Sequence, residues 1–512
     1  MMSSVGITVR CLASTRVPRC GGQEEERVDE GDGQAARGLE GTSQEKTGAV
    51  NSAESDHSDE DGSEDKVSGD IPLSPSSASD TTSSKSATPE PLQKPHHTSC
   101  IQEAQLSPDG SCIFTSDYNR VFSVYPISSD IFSQPSSQSL TPYASFRSPN
   151  PIWAFAVNPL FNLQDASSTT TLISRRDSYI TLHNALWDVS QSYTDIDNTT
   201  PPTSPINISQ PLASYKFINN LTEAVTAPIS LAYTHTGTHF FGGSQDKIAV
   251  FDMHETNKPI HVIPTIPSRR SKLKGGGRGF KGHISALSLS PSSPSSRDGI
   301  LAAGSRTRHI GLYDAVSGTE ITGFALPGTA SGVRSRTSEH LQHLMGDGVT
   351  ALRWSPCANY LYVAERNANA LLIYDVRCFS LALGYCVGRK ALTKQKLGFD
   401  VWHAGAAAPY QVDGVSHEVW AGGTDGKMRV WKDAYAKEGA VQPDEVLTVG
   451  AQDDEPVVAS LLHSSGSLAV AASGVVRVAG QQDDDGRGVQ RGGGGVRPRY
   501  REWGNLDILA LS

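Results

Sequence analysis

One phrase recurs along this chain and limits what it can fold into. A small or apolar run leads into a Ser-Pro turn; an apolar run ending in small residues follows. A polar turn comes next, and alternating apolar residues then close on an aromatic, often with Asp behind it. The phrase reads Ala104 to Ser116 with Val121 to Tyr125, then Ile284 to Pro291 with Ile300 to Ser305 and Ile310 to Asp314. It returns as Val349 to Pro356 with Tyr360 to Glu365 and Leu371 to Asp375. Each copy holds three short segments of strand character, such as Ile310 and Leu312 alternating with Gly311 and Tyr313, or Met428 and Val430 with Arg429 and Trp431. Repeated three-strand units with almost no helical periodicity indicate an all-β chain, a β-propeller of WD-type blades.

The residues closing the third strands fall at Tyr125, Leu182-His183, Phe251, Tyr313, Tyr374 and Trp431, spaced 57 to 68 residues apart. A plain repeat needs roughly 40 to 45. The excess is expected in polar, Pro-rich or Gly-rich insertions at about 188–210, 264–282 and 327–346. A seventh unit starts at Val457, with a short third strand at 475–478 and a Gly/Arg insertion at about 480–500. The apolar end, Asp507 to Leu511, reads as its outer strand. Closure of the ring is expected from that strand or from residues just before Ile101, because an open ring would expose its edges.

Charge divides the chain. The first 100 residues carry a net charge of −9 and the remainder −1. With many Ser, Gly and Glu and scarcely any aromatics, this segment cannot bury enough surface to offset its ordering entropy. Residues 1–95 are therefore expected to be a disordered acidic tail, and residues 96–512 a seven-bladed WD40 propeller. Seven cysteines in odd number and without metal-ligand spacing argue for a reducing compartment and against a zinc site. There is no signal-peptide core and no run of about 18 apolar residues, which leaves a cytosolic or nuclear protein as the expectation.

No constellation of residues suggests catalysis, so a non-enzymatic protein without cofactor, metal or small-molecule substrate is expected. Gly275 to Lys281 fails as a phosphate loop: Phe280 precedes the Lys, Gly282 follows it, and a strand comes next. Arg269, Arg270, Lys272 and Lys274 place four cations within six residues, which fits a nuclear localisation signal, a nucleic-acid contact or a solvated loop. Gly282-His283 matches the dipeptide opening strong WD repeats, where the imidazole joins a buried hydrogen-bond network. His283, Tyr313, Asp314, Tyr374, Asp375, Arg377 and Trp431 are accordingly assigned to the structural skeleton.

The turn between second and third strands is more suggestive. It carries Arg120, then Arg175 and Arg176, Lys247, Arg306 and Arg308, Arg366, and Lys427, so a cation occurs in all six readable blades. In a WD propeller these turns share a face with the loops joining successive blades. One cation per blade there would form a ring suited to a phosphodiester backbone. Asp177, Asp246 and Asp425 are neighbours able to neutralise part of it.

Several of these segments resemble the telomerase Cajal body protein family. Leu106-Ser107-Pro108-Asp109-Gly110-Ser111-Cys112-Ile113 is similar to the run opening that family's first repeat. Arg176 to Ala185 resembles its Arg-x-x-Pro-Ile-His-Leu-Trp-Asp-Ala, with Tyr179 in place of Pro and His183-Asn184 in place of Trp-Asp. Gly282 to Pro291 with Ile310 to Asp314 resembles its fourth repeat, and Gly348 to Arg366 with Leu371 to Arg377 its fifth. The resemblance covers roughly residues 100 to 480 in order. It implies a fungal member of a group that binds small Cajal body RNAs and telomerase RNA, with a yeast relative associated with splicing. The implied partners are small structured RNA and ribonucleoprotein proteins, with no membrane, for a monomeric scaffold located in the nucleus or in nucleus and cytoplasm. A protein-only adaptor or substrate receptor is the alternative.

Overall fold

The computed structural model describes residues 6–16, 98–191, 204–219, 221–266, 279–292, 298–329, 344–379, 381–403, 415–449, 455–478 and 500–512. They form seven blades, each with four antiparallel strands a to d running from the central channel outward; in blades 1, 5 and 7 a short strand, Ile206–Asn207, Gly439–Val441 and Gln138–Ser139 respectively, adds parallel at the outer edge. Blade 1 comprises Ile101–Leu106, Cys112–Asp117, Val121–Pro126 and Ala144–Arg147; blade 2, Ile152–Val157, Thr170–Arg175, Ile180–Asn184 and Pro211–Tyr215. Blade 3 comprises Ser230–Tyr233, His239–Ser244, Lys247–Asp252 and His261–Pro264; blade 4, Ile284–Leu289, Ile300–Ser305, His309–Asp314 and Glu320–Ala325. Blade 5 uses Val349–Trp354, Tyr360–Glu365, Leu371–Asp375 and Gly384–Cys386; blade 6, Phe399–His403, His417–Gly422, Lys427–Lys432 and Glu445–Thr448. Among the described residues there is no α-helix, and no helix long and apolar enough to cross a membrane.

Burial explains why the second strands read as continuous apolar runs rather than alternating ones. Each b strand is covered on both faces by neighbouring blades, as in Cys112–Ser116 and His417–Gly422, whereas a d strand such as Glu320–Ala325 is only partly buried. The blades join through one recurring device. The a strands of blades 1, 2, 4, 5 and 7 carry a bulge directly after their first residue, at Ile101, Ile152, Ile284, Val349 and Val457. A bulge re-aims a side chain, and each of these residues is buried. Space for four of them is left by a glycine near the corresponding point of the preceding blade's b strand. A Cβ on Gly243 would sit 2.9 Å from Ile284, on Gly304 2.5 Å from Val349, on Gly422 2.6 Å from Val457, and on Gly474 2.6 Å from the Ile101 nitrogen. Serine hydroxyls add polar links across the same seams: Ser174 donates to the Pro228 carbonyl and Ser230 to that of Ile284, both at 2.7 Å.

Blade 7 departs from the sequence reading. Its strands are Val457–Leu462, Leu468–Val478, Tyr500–Leu511 and Val9–Ser14. Val475 to Val478 continue the second strand instead of starting a third, and Asp507 to Leu511 belong to the third strand instead of the outer one. The closing strand comes from the N-terminus: Val9 pairs with Leu511 and Ser14 with Asp507, antiparallel. This part of the expected tail 1–95 therefore belongs to the propeller, and Met1–Val17 forms one compact unit with Pro95–Ser512. Local signals could not reveal it, because the segment pairs with residues some 500 positions away. The clasp is fastened at both ends. The Thr8 amide donates to the Ser512 carbonyl at 2.8 Å, and Arg16 pairs with Glu455 at 2.6 Å. The assignment of disorder to the rest of the tail concerns residues outside those described, as do the central parts of the insertions at 188–210, 264–282, 327–346 and 480–500.

Leu12 is buried within the apolar cluster formed by blades 7 and 1. Leu12→Ala is expected to cost about 2–5 kcal/mol, and removing residues 1–17 should lower the unfolding midpoint further. Denaturant titration of the two variants checks this. Midpoints equal to that of the intact chain would show that the ring closes without the strand.

Candidate nucleic-acid interface

In an up-and-down blade the b–c turns and the starts of the a strands lie on one face. Tightness of those turns fixes a left-handed residue in each of the first six blades: Arg120 (φ 67°), Asp177 (53°), Asp246 (58°), Arg308 (64°), Asn367 (56°) and Gly426 (66°). Because Arg120 and Arg308 themselves take this backbone conformation, uncommon outside glycine and asparagine, their side chains leave the turn in a different direction from those beside them.

The eight cations of these turns meet different fates. Arg308 points inward: it is buried, and its Nε and Nη2 donate to the two oxygens of Glu365 at 2.6 and 2.9 Å, joining blade 4 to blade 5. It belongs to the framework and not to the exposed face on which the sequence placed it, since removing one partner of such a pair strands the other charge without water. Arg120 is half-buried and donates to the Pro149 carbonyl. Arg176 is exposed but paired with Asp177 at 3.0 Å. Lys247 stands 4.7 Å from the centroid of the Phe217 ring, with burial lowering its pKa. Arg175 is half-buried, its Nη2 donating to Thr181 at 3.3 Å while its Nε is buried without a hydrogen-bond partner. Lys427 is half-buried at the start of its strand, beside Asp425, which is already held by Arg429 at 3.0 and 2.7 Å.

Arg306 and Arg366 differ from the others in sharing one cavity. Arg306 is exposed and Arg366 half-buried, and both line a cavity of about 590 Å³ with Trp153, Gln245, His283, Asp347 and Lys396. The Arg366 Nε is buried without a hydrogen-bond partner. Burial, and then the positive charge of Arg306, lower the pKa of Arg366, while Asp347 acts in the opposite direction. Lys396 is held by Glu103 at 3.0 Å. Ser285, Thr350 and Lys396 also line the central channel of about 640 Å³, so this cavity is a sector of the channel mouth centred on blades 3 to 5, with Arg306 in blade 4 and Arg366 in blade 5. The structure thus gathers two of the eight predicted turn cations into one cavity and leaves the other six outside it. Sequence reasoning missed Trp153, Gln245 and Lys396. Trp153 had a readable signal: it is the out-of-phase residue of the strand Ile152–Val157 and stays 39% exposed.

The skeleton residues also sort themselves. His283 is exposed at the channel mouth and not in a buried network. The buried imidazoles are His183, bonded to the Ile208 carbonyl and the Thr181 hydroxyl at 2.9 Å each, and His417, bonded to the Tyr362 hydroxyl at 2.7 Å. Tyr313, Tyr374 and Trp431 are buried as expected, the Trp431 indole N–H donating to the Val441 carbonyl at 3.1 Å. Asp314 accepts the amides of Val316 and Ser317, holding the turn. Arg377 forms an exposed pair with Asp375 at 2.9 and 2.6 Å on the opposite face, where water screens it; it does little for folding, contrary to its assignment. Arg269, Arg270, Lys272 and Lys274 lie outside the described residues. Among the described residues no group of His, Cys, Asp and Glu is placed to hold a metal ion.

No family model matches the sequence. Compared with individual proteins, the chain is 24% identical over 377 residues to Telomerase Cajal body protein 1 of Rattus norvegicus, and 24% over 383 residues to that of Mus musculus; each match covers 73% of this chain. The matches span 58% of the length of those two rodent proteins. A third similarity, 22% over 362 residues and covering 70% of this chain and 77% of the other, is to Guanine nucleotide-binding protein negative regulator 1 of Schizosaccharomyces pombe. Similarity to these proteins agrees with a scaffold or adaptor role for this chain.

The two buried imidazoles make stability depend on pH. Burial pushes the pKa of His183 and of His417 down to about 4, against about 6.5 in an unfolded chain. The unfolded state therefore binds protons first. Their contribution is fully present above about pH 6.5 and is lost as pH falls through the folded values near 4. Between pH 7 and 5 the loss is on the order of 2 kcal/mol per imidazole. Urea unfolding of a His183→Asn/His417→Gln variant should show a correspondingly smaller difference between pH 7 and pH 5; the same difference in variant and wild type would refute the assignment.

Proposed function

We propose that this chain is a non-enzymatic scaffold that holds a small structured RNA by its sugar–phosphate backbone at the channel mouth, in ribonucleoprotein assembly or localisation in the nucleus. The observation that carries this is the Arg306–Arg366 pair. Two guanidinium groups act on one another across an open cavity, one has a buried N–H without an acceptor, and Asp347 is the carboxylate that acts against their charge. A phosphate in the cavity supplies the opposing charge, in a geometry that a guanidinium group matches well. Trp153 on the same cavity offers a stacking face for a base. The names of the rodent relatives, which place them with telomerase and Cajal bodies, support RNA as the ligand class. A second reading, a protein-only adaptor using the same face, draws on the name of the fission-yeast relative.

Removing one cation that meets a phosphate should reduce the slope of log K against log salt by about 0.7–0.9. Arg306→Ala/Arg366→Ala is thus expected to flatten the salt dependence of RNA binding by about 1.4–1.8, with little change in stability. The control is Lys437→Glu, in the c–d loop of blade 6 on the opposite face, where the ammonium pairs with Asp444 at 2.9 Å. No RNA binding by the wild type, or a response to Lys437→Glu but not to the arginine pair, would favour the adaptor.

A further inference from the structure

The segment joining the outer strand of blade 5 to the inner strand of blade 6 crosses the face that carries Arg306 and Arg366. It runs from Val387 to Gly398 and holds Arg389, Lys390, Lys394 and Lys396 without a single acid. Contacts to four blades fix this strap. In blade 5 the Asn367 amide donates to the Thr393 carbonyl at 3.0 Å, and Asn369 Oδ1 accepts the Ala391 amide at 2.7 Å. In blade 6 the Thr424 amide donates to the Lys390 carbonyl at 2.7 Å. Farther round the ring, the Gln395 side chain donates to the Gly474 carbonyl of blade 7 at 2.9 Å, and Lys396 to Glu103 of blade 1 at 3.0 Å.

Beneath the strap lies a cation without a carboxylate. Arg389 is buried, and every partner of its guanidinium among the described residues is a carbonyl: Gly422 at 2.9 Å, Leu397 and Gly398 at 3.0 Å each. Burying a charge with no opposite charge beside it costs free energy. Burial, and then the positive charge of Arg429, accordingly lower the Arg389 pKa to about 10. The three bonds staple the two ends of the strap together and leave its positive charge unneutralised.

Exposure alternates along the strap. Lys390, Leu392 and Lys394 face solvent, while Ala391 is buried and Thr393 and Gln395 are half-buried. Lys394 meets no carboxylate among the described residues. Lys390 lies 3.8 Å from Asp425, whose two oxygens already accept from Arg429 at 3.0 and 2.7 Å. Two ammonium groups with an uncovered leucine between them are thus offered from a pinned backbone, so that little more than side-chain rotamers has to order on binding. The Asn367–Thr393 bond sets this row beside the mouth: by standard backbone dimensions the Cα atoms of Arg366 and Lys394 are within roughly 9 Å of each other.

We infer that the strap is a second binding site for the RNA strand, Lys390 and Lys394 taking phosphates and Leu392 the face of a sugar or base, so that the backbone held at Arg306 and Arg366 continues outward over blade 6. The inference rests on the RNA-binding reading. Lysine, a point charge on a flexible stem, suits a site that follows a backbone, whereas the planar arginine groups of the mouth suit a phosphate held in one orientation.

The test uses the full chain and a fluorescein-labelled RNA hairpin of mixed sequence, with anisotropy measured across a potassium chloride series. Lys390→Ala/Lys394→Ala should flatten the salt slope by about 1.4–1.8 and leave the unfolding temperature at the wild-type value, because the backbone groups that pin the strap are kept. Lys390→Arg/Lys394→Arg should keep the wild-type slope. Lys258→Ala/Lys437→Ala removes the same charge from exposed c–d loops on the opposite face and should also leave the slope as it is. A wild-type slope in the alanine variant of the strap, alongside a flattened one in Arg306→Ala/Arg366→Ala, would overturn the strap and leave the mouth standing. Equal flattening by the opposite-face pair would reduce the effect to net charge and overturn the inference. No binding by the wild type would overturn both readings. An alanine variant of the strap that holds the hairpin as the wild type does, but no longer binds a fluorescein-labelled polyglutamate peptide that the wild type binds, would make the strap a docking site for acidic protein and overturn the inference.

Discussion

The structure depends on the seam where a glycine of one blade's second strand receives the first residue of the next blade. Ile284 against Gly243, Val349 against Gly304 and Val457 against Gly422 repeat one contact at three seams, and at the seam of blades 7 and 1 the Ile101 backbone lies against Gly474. Neither half works alone. The bulge after the first residue turns the side chain toward the neighbouring blade, and the missing Cβ leaves it room. Because the ring is closed, each seam is held by all the others, and the last is completed by Val9–Ser14 against the strand Tyr500–Leu511. A blade alone is a small twisted sheet with two apolar faces; in the ring, seven such sheets bury each other.

The same geometry decides which charges are free to meet a ligand. A tight b–c turn with one left-handed residue sends alternate side chains inward and outward. In blade 4 this commits Arg308 to Glu365 and leaves Arg306 in the mouth. Neighbouring acids, a ring face or a carbonyl occupy most of the others. What remains is one cavity of the channel mouth that gathers Arg306 and Arg366, rather than a continuous cationic ring.

The three inner strands of six blades were readable because their alternation, Ser-Pro turns and closing aromatics are local signals, and Trp431, Tyr313 and Tyr374 sit where those signals put them. Blade 7 was misread for two physical reasons. Its second strand is 11 residues long, so its far end looked like a new strand. Its outer strand lies at the other end of the chain, and long-range pairing leaves no local pattern. Which of Arg306 and Arg308 turns inward is set by Glu365, a residue of the next blade. His283 carried the expected dipeptide without the buried environment, whereas His183 and His417 acquired that environment without the dipeptide. Sequence thus located the candidate face; the contacts across the blades determine which of its residues are available.

The account's central claim is that one face of the propeller, the channel mouth of blades 4 and 5, meets RNA. The most direct measurement is photocrosslinking of the full chain to 4-thiouridine-containing small RNA, followed by mass spectrometry of the crosslinked peptides. The account predicts crosslinks in the peptides holding Trp153, His283, Gln245 and Arg366. Crosslinks confined to the opposite face, at peptides holding Arg377 or Lys437, or none above background, would contradict it.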